Sequence, residues 1–121
     1  MIKYHCKVDY AYPDNEESVH IRSLDNRCEN EGFNIIVRGS KKEPINDRIE
    51  CSLIMIAFNV LQYIKDECDS WVQAMTTAMW NSKKQEDERL DDFTTDIDSL
   101  DAFEYSFERD MKRINDAIRR N

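Results

Sequence analysis

The longest apolar stretch of the chain is residues 45–64, INDRIECSLIMIAFNVLQYI. Its apolar side chains recur at helical spacing, and further ones widen the stripe around most of the circumference. Because a helix that is apolar nearly all round belongs at the centre of a domain, we predict a buried central helix here. Asp47 and Glu50 have capping-box spacing, which makes Asp47 the expected N-cap. The apolar positions are Ile49, Leu53, Ile54, Ile56, Ala57, Phe58, Val60, Leu61 and Ile64.

Two segments before this helix have the pattern of β-strands. Residues 2–10 alternate between apolar and polar, and a period of two is typical of a half-buried strand. The run FNIIVR, residues 33–38, lies between the only two glycines of the chain and is rich in β-branched residues. We predict a second strand there, antiparallel to the first. The segment 19–24 is compatible with a short extended piece between them.

Alternation returns at residues 71–80 and favours a third strand, with a helix over the same residues as the open alternative. The polar segment 81–88 then acts as a linker, and residues 89–98 pair back as the second arm of a hairpin. The last stretch, 99–120, is predicted as an amphipathic helix, because its apolar residues lie at helical spacing. Core packing is its expected role, and a groove for a partner helix is the alternative. The stripe consists of Leu100, Phe103, Phe107, Met111, Ile114 and Ile118.

The predicted fold class is therefore α+β. A small antiparallel sheet in ββ-α-ββ-α order would carry the buried central helix and the C-terminal helix on one face. A length of 121 residues fits one domain, so a single domain over residues 1–121 is expected. The sequence has no glycine-rich phosphate loop, HExxH or paired-histidine metal motif, so we predict no cofactor and no metal site.

The formal net charge of −8 bears on the class of partner. Nucleic-acid backbones and anionic membranes reward Lys and Arg, so neither is an expected partner. A basic protein partner is favoured, with mere solubility as the alternative explanation and a homodimer left open. No segment has the roughly 18 apolar residues of a membrane span, and the first residues lack the continuous apolar core of a signal peptide. These patterns predict a cytoplasmic protein.

Most of the charge lies in one short segment. Between residues 86 and 101 there are eight acids and one base, Arg89, which gives a balance of −7. An acidic surface would speed association with a basic partner, and a solvated turn is the structural alternative. The predicted interface consists of Glu86, Asp87, Glu88, Asp91, Asp92 and Asp96.

Cys51 is the residue with the clearest chemical interest. In the first turn of the predicted helix, unpaired backbone NH groups and the helix dipole would lower its pKa, as in many cysteine nucleophiles. Glu50 and Asp47 oppose that effect, and a cysteine in an apolar helix also serves as a small core residue. The four cysteines show no CxxC spacing, and thiols are expected rather than disulfides.

The order VRGS, KKEPIND, RIEC and SLIMIAFNVL over residues 37–61 resembles the ribosomal-processing cysteine proteases. In that family a strand ends in Gly-His, and Asp-Ile-Val-Cys then opens the central helix. The resemblance implies that Cys51 is the nucleophile and that two strands and a C-terminal helix follow it. Ser40 stands at the position of the family's catalytic histidine. The base would therefore have to be His5 or His20.

Two functional hypotheses follow. The first is a small acidic protein-binding module, of the kind found among phage-encoded inhibitors and toxin-immunity proteins, that acts through the acidic segment. The second is a cysteine peptidase of the ribosomal-processing type with Cys51 as nucleophile. The reactivity of the Cys51 thiol separates the two hypotheses.

Overall fold

The computed structural model describes residues 7–78, 89–90, 93 and 95–120. Of these residues, 57% are helical, and the only sheet among them has two short parallel strands. The predicted antiparallel sheet in ββ-α-ββ-α order is therefore wrong. The chain divides into two compact units, Met1–Lys41 and Lys42–Asn121. The expectation of a single domain over 1–121 stays a prediction.

The first unit is a strand, a helix and a strand. β1 (Tyr10–Ala11) pairs in parallel with β2 (Ile36–Val37), with Tyr10 opposite Ile36. The helix α1 (Ser18–Asn30) fills the connection between them and returns the chain to the end where β1 began. Parallel strands need such a crossover connection, whereas the predicted antiparallel pairing would have needed only a turn.

The extended piece predicted at 19–24 lies inside α1. Ile21 and Cys28, two helical turns apart, are half-buried, and no residue of α1 is fully buried. The helix closes where the NH groups of Gly32 and Phe33 donate to the carbonyls of Glu29 and Cys28. Gly32 has a φ of 77°, a conformation that a residue with a Cβ resists. The glycine expected to precede a long strand therefore terminates a helix.

In the second unit, the central helix is shorter than predicted. α2 (Ile45–Ala57) begins after Pro44, and no side chain caps its N-terminus, so the predicted Asp47 cap is wrong. Asp47 instead lies in the first turn, where its charge complements the helix dipole. The helix ends because Asn59 takes a φ of 56°, which diverts the backbone before residues 60–64.

The strand predicted at 71–80 is helical as far as Thr77. α3 (Asp69–Thr77) presents Trp71, Ala74 and Met75 to one side, a helical spacing that the alternation of apolar residues concealed. The predicted strand 89–98 is also wrong, because Arg89 forms only an isolated β-bridge and a helix begins at Ile97. Residues 79–88, 91–92 and 94 lie outside the described residues.

The helix predicted at 99–120 is present in two pieces. α4 (Ile97–Phe107) leads through a 3-10 turn (Glu108–Asp110) into α5 (Met111–Arg119). The apolar stripe serves two separate clusters. Leu100 packs with Ala74 and Ile97, with Trp71, Met75 and Ala78 around them. The rest of the stripe (Phe103, Phe107, Met111, Ile114 and Ile118) packs around Cys51 and Met55 of α2, together with Ile54 and Leu61.

Among the described residues, none of the helices combines the length and the apolar character that crossing a membrane requires.

The contact between α3 and α4 can be tested at Leu100, whose side chain is 2% exposed. Leu100→Ala should lower the free energy of unfolding by about 2–5 kcal/mol, because it removes buried methyl groups and leaves a cavity. The same truncation at Leu53, which is 56% exposed, should change it by less than about 0.5 kcal/mol. Urea unfolding followed by circular dichroism measures both, and equal effects would contradict the assigned packing.

Candidate functional site

Apolar side chains surround Cys51 in the described part of the chain. Its side chain is 1% exposed and packs with Met55, Phe107 and Ile118. Burial, and then the charge of Glu50, raises the pKa of the Cys51 thiol, which disfavours the thiolate that a nucleophile needs. Because α2 begins at Ile45, Cys51 lies beyond the first helical turn. The unpaired NH groups that were expected to lower its pKa are therefore not adjacent to it.

The residues expected to assist Cys51 have other surroundings. His20 is exposed on α1, with its Nδ1 3.7 Å from Glu17 Oε2, and His5 lies outside the described residues. His20 belongs to the first unit, whereas Cys51 belongs to the second, and the sequence 42–121 contains no histidine. Ser40 is buried and holds the loop before α1 in place through hydrogen bonds with Asn15. Its hydroxyl accepts from the Asn15 backbone NH at 3.2 Å, and its carbonyl accepts from Asn15 Nδ2 at 2.9 Å.

A cluster of four buried or half-buried charged residues lies in the second unit. The Arg89 guanidinium donates to both carboxylate oxygens of Glu104, each at 2.6 Å, and its Nη1 also donates to Asp101 Oδ1 at 3.1 Å. Arg48 Nη1 lies 3.4 Å from Glu104 Oε1 and 3.6 Å from Asp101 Oδ1. Two cations and two carboxylates balance, so the cluster can be buried without net charge.

Burial and pairing act against each other in this cluster. Burial alone would lower the pKa of Arg89, but the hydrogen bonds and charges of Glu104 and Asp101 more than reverse that effect. Burial raises the pKa of Asp101 despite the two guanidinium groups beside it. Nε and Nη1 of Arg48 are buried without a hydrogen bond, and the guanidinium carbon lies 5.5 Å from the centre of the Tyr105 ring. No local pattern in the sequence predicts this cluster, in which Arg89 stands out only as the one base of the acidic segment.

A cavity of about 260 Å³ adjoins this cluster. Among its polar side chains, the Ser52 hydroxyl donates to the Arg48 carbonyl at 2.9 Å, and Arg89 and Glu104 bond each other. These groups are engaged within the protein, so they offer an entering molecule little specific recognition. The described residues contain no group of three or more potential ligands placed to hold a metal ion. The cavity is lined by Asn46, Ile49, Ser52, Leu53, Met75, Ala78, Arg89, Leu100 and Glu104.

Asp96 is the one predicted interface residue that the structure describes. It is the N-cap of α4, accepting from the Ser99 NH at 3.0 Å and from the Ser99 hydroxyl at 2.6 Å. The hydroxyl of Ser70, in the first turn of α3, also donates to it. These hydrogen bonds, first from Ser70 and then from Ser99, lower the pKa of Asp96 and keep it ionised at neutral pH. Glu86, Asp87, Glu88, Asp91 and Asp92 lie outside the described residues.

A groove of about 580 Å³ opens beside Asp96, and we call it the aromatic groove. Edge-on aromatic contacts build its wall, with ring centres 5.4 Å apart for Tyr63 and Trp71 and 4.9 Å apart for Trp71 and Phe103. Ser70 and Ser99, the two donors to Asp96, both line it, so the carboxylate lies at its edge. The groove is lined by Leu61, Gln62, Tyr63, Ile64, Glu67, Cys68, Ser70, Trp71, Ser99, Ala102 and Phe103.

Apolar side chains around the end of α2 are exposed to solvent, and we call them the apolar surface. They are 46–63% exposed, and Tyr63 and Ile64 also line the aromatic groove. All of them fall within residues 45–64, which the sequence pattern predicted as one buried helix. Leu53 and Ile56 lie on an exposed face of α2, and residues 60–64 lie beyond the left-handed residue Asn59, where the helix has ended. The apolar surface consists of Leu53, Ile56, Phe58, Val60, Tyr63 and Ile64.

The low reactivity expected of the Cys51 thiol can be tested by its rate of alkylation. In a variant with Cys6, Cys28 and Cys68 replaced by Ser, iodoacetamide at neutral pH should alkylate Cys51 at least tenfold more slowly in the folded than in the urea-unfolded chain, because the thiol is enclosed and its pKa is raised. Mass spectrometry gives both rates. Alkylation of the folded chain at or above the unfolded rate would instead support the peptidase hypothesis.

The buried charge cluster should respond strongly to loss of one partner. Glu104→Gln leaves Arg89 buried without its full counter-charge and should lower the free energy of unfolding by about 3–5 kcal/mol. Glu50→Gln, an exposed matched control, should change it by less than about 0.5 kcal/mol. The double variant Arg89→Met with Glu104→Leu should recover part of the loss. Urea unfolding tests the series, and a similar cost for both Gln variants would refute the assigned pairing.

Neither a protein-family model, nor a curated protein, nor a solved structure was found to match this chain. The resemblance to the ribosomal-processing cysteine proteases is therefore not tested by these comparisons. The order of elements that it implied is not the order in the described residues, where α3 replaces the first strand after the central helix.

Proposed function

We propose that this chain is a small acidic protein-binding module whose partner is a basic protein. The observation that carries the proposal is the apolar surface at the end of α2, next to a groove whose edge bears an ionised aspartate. Large apolar side chains that are exposed together mark interaction sites more often than isolated ones do. The aromatic residues at the groove are of the kind that anchors protein interfaces.

The charge of the chain supports a basic partner. The net charge of −8 produces a field that attracts a positively charged protein and speeds its association. Asp91 and Asp92 precede Asp96 by only a few positions in the sequence, so the carboxylate at the groove edge belongs to the acidic segment. This combination fits an inhibitor or immunity protein that acts on a basic enzyme in the cytoplasm, as some phage-encoded proteins and toxin antagonists do.

The peptidase alternative receives no support from the described residues. Cys51 is enclosed by apolar side chains, its pKa is raised, and the described part of its own unit offers no histidine as a base. A binding function requires none of these features. It requires a stable fold and an accessible surface, and the apolar surface meets the second requirement.

The proposal is tested by capture from the source organism with the full chain as bait. We expect one or a few basic proteins to be enriched, and the complex with the purified partner to weaken as salt rises. Phe58→Ser combined with Val60→Ser should lower the affinity at least tenfold, because both side chains belong to the exposed apolar surface. Isothermal titration calorimetry measures the affinity.

The matched control is Val19→Ser combined with Leu24→Ser, which removes exposed apolar residues from α1 in the first unit. That control should change the affinity less than twofold. Equal weakening by both pairs, or a partner whose binding is indifferent to salt and to the Phe58 and Val60 changes, would rule out the proposed surface.

A further inference from the structure

We propose that the aromatic groove binds an amphipathic helix of the partner, with a lysine or arginine of that helix paired with Asp96. The inference rests on the proposed function, and it names the segment of the partner that is recognised. It is carried by three features of the second unit: the kind of backbone around the groove, its aromatic wall and the charge at its edge.

The surrounding backbone selects a helix rather than a strand as the occupant. A strand would have to add to an exposed sheet edge, whose NH and carbonyl groups supply the affinity. In the described part of 42–121 the elements are helices, apart from the isolated bridge at Arg89, and the groove is lined from α3, α4 and the segment before α3. A helix satisfies its own backbone hydrogen bonds and needs only apolar contacts from such a groove.

The aromatic wall offers those contacts. Tyr63 is half-exposed, while Trp71 and Phe103 are partly buried beneath it in an unbroken series of edge-on contacts. Rings held in this way lose little conformational freedom when a ligand packs on them. Apolar residues three or four positions apart on the incoming helix would lie along this wall.

The charge at the edge selects a basic helix. Asp96 is ionised, and it accepts hydrogen bonds from the hydroxyls of Ser70 and Ser99 and from the NH of Ser99, none of which carries a charge. The segments 65–70 and 96–99, which meet at that hydrogen bond, contain five acids and one base, a balance of −4. A cation on the incoming helix would reduce this local excess. The acids are Asp66, Glu67, Asp69, Asp96 and Asp98, and the base is Lys65.

A second copy of the chain fits the groove poorly. Two chains that each carry −8 repel one another, and a dimer would add this repulsion to any apolar gain. The basic residues Arg119 and Arg120 end α5, but the apolar residues of α5 already pack against the core around Cys51. The partner of opposite charge is therefore the occupant that the charge distribution favours.

The test uses three synthetic peptides of equal length: a leucine–lysine sequence with helical spacing, the same composition scrambled to remove that spacing, and a leucine–glutamate sequence with helical spacing. Trp80→Phe leaves Trp71 as the sole tryptophan of the full chain. We expect the helical lysine peptide to bind saturably and to shift the Trp71 emission. The scrambled peptide should bind at least fivefold more weakly, and the glutamate peptide should not bind.

Two matched pairs of variants locate the site. Asp96→Asn removes the charge but keeps an efficient N-cap, and it should weaken the lysine peptide at least fivefold. Asp25→Asn makes the same change in net charge in the first unit and should weaken it less than twofold. Tyr63→Ala, in the groove wall, should weaken it at least fivefold. Phe58→Ala, on the apolar surface but outside the groove, should have less than a twofold effect.

Equal effects of Asp96→Asn and Asp25→Asn, or equal binding of the scrambled peptide, would reduce the interaction to general charge attraction and overturn the inference. So would a dimer in analytical ultracentrifugation that dissociates on Tyr63→Ala, since a second copy would then fill the groove. If no peptide binds while a captured partner still depends on Phe58 and Val60, the helix inference fails and the proposed function stands.

Discussion

The bidentate pair between Arg89 and Glu104 is the interaction on which the arrangement of the second unit depends. Two charged groups that are nearly excluded from water cost several kcal/mol each in desolvation, and only close geometry with full neutralisation offsets that cost. Both hydrogen bonds measure 2.6 Å, and Arg48 and Asp101 complete a neutral set of four. The cluster therefore fixes the rotation of α4 about its axis, because Glu104 must point at two guanidinium groups.

That rotation determines what each face of α4 contacts. With Glu104 directed at Arg89, Leu100 one turn earlier packs on α3, and Phe107 packs with the core around Cys51 of α2. Phe103 lies between the two clusters and continues the aromatic series from Trp71 to Phe107. The N-terminal end of α4 is then held against the first turn of α3 by Asp96. The groove edge is thus set by the same helix that buries the charge cluster.

Residues 99–119 were predictable as helical because their apolar residues, three and four positions apart, fit the period of a helix and no other. Residues 71–77 were not predictable as a helix, since Trp71, Ala74 and Met75 satisfy a helical spacing while Val72, Ala74 and Thr76 satisfy an alternating one.

The charge cluster could not be predicted from the sequence for another reason. Its members are separated by up to half the chain, and no local pattern tells a buried arginine from one in an acidic loop. Of the predicted interface, only Asp96 falls on described residues, and its role as a cap came from the structure.

The end of α2 shows why an apolar pattern cannot by itself separate a core from an interface. Residues 45–64 have the composition of a buried helix, and through Cys51 and Met55 they do build the core. Past Asn59, which ends the helix, Val60, Tyr63 and Ile64 are about half exposed, and Leu53 and Ile56 are similarly exposed on α2 itself. Both burial inside the chain and burial against a partner require apolar side chains, so the sequence marks them identically. What distinguishes them here is which face of α2 packs against α5, together with the point at which the left-handed residue Asn59 ends the helix. Asn tolerates that conformation better than most residues do.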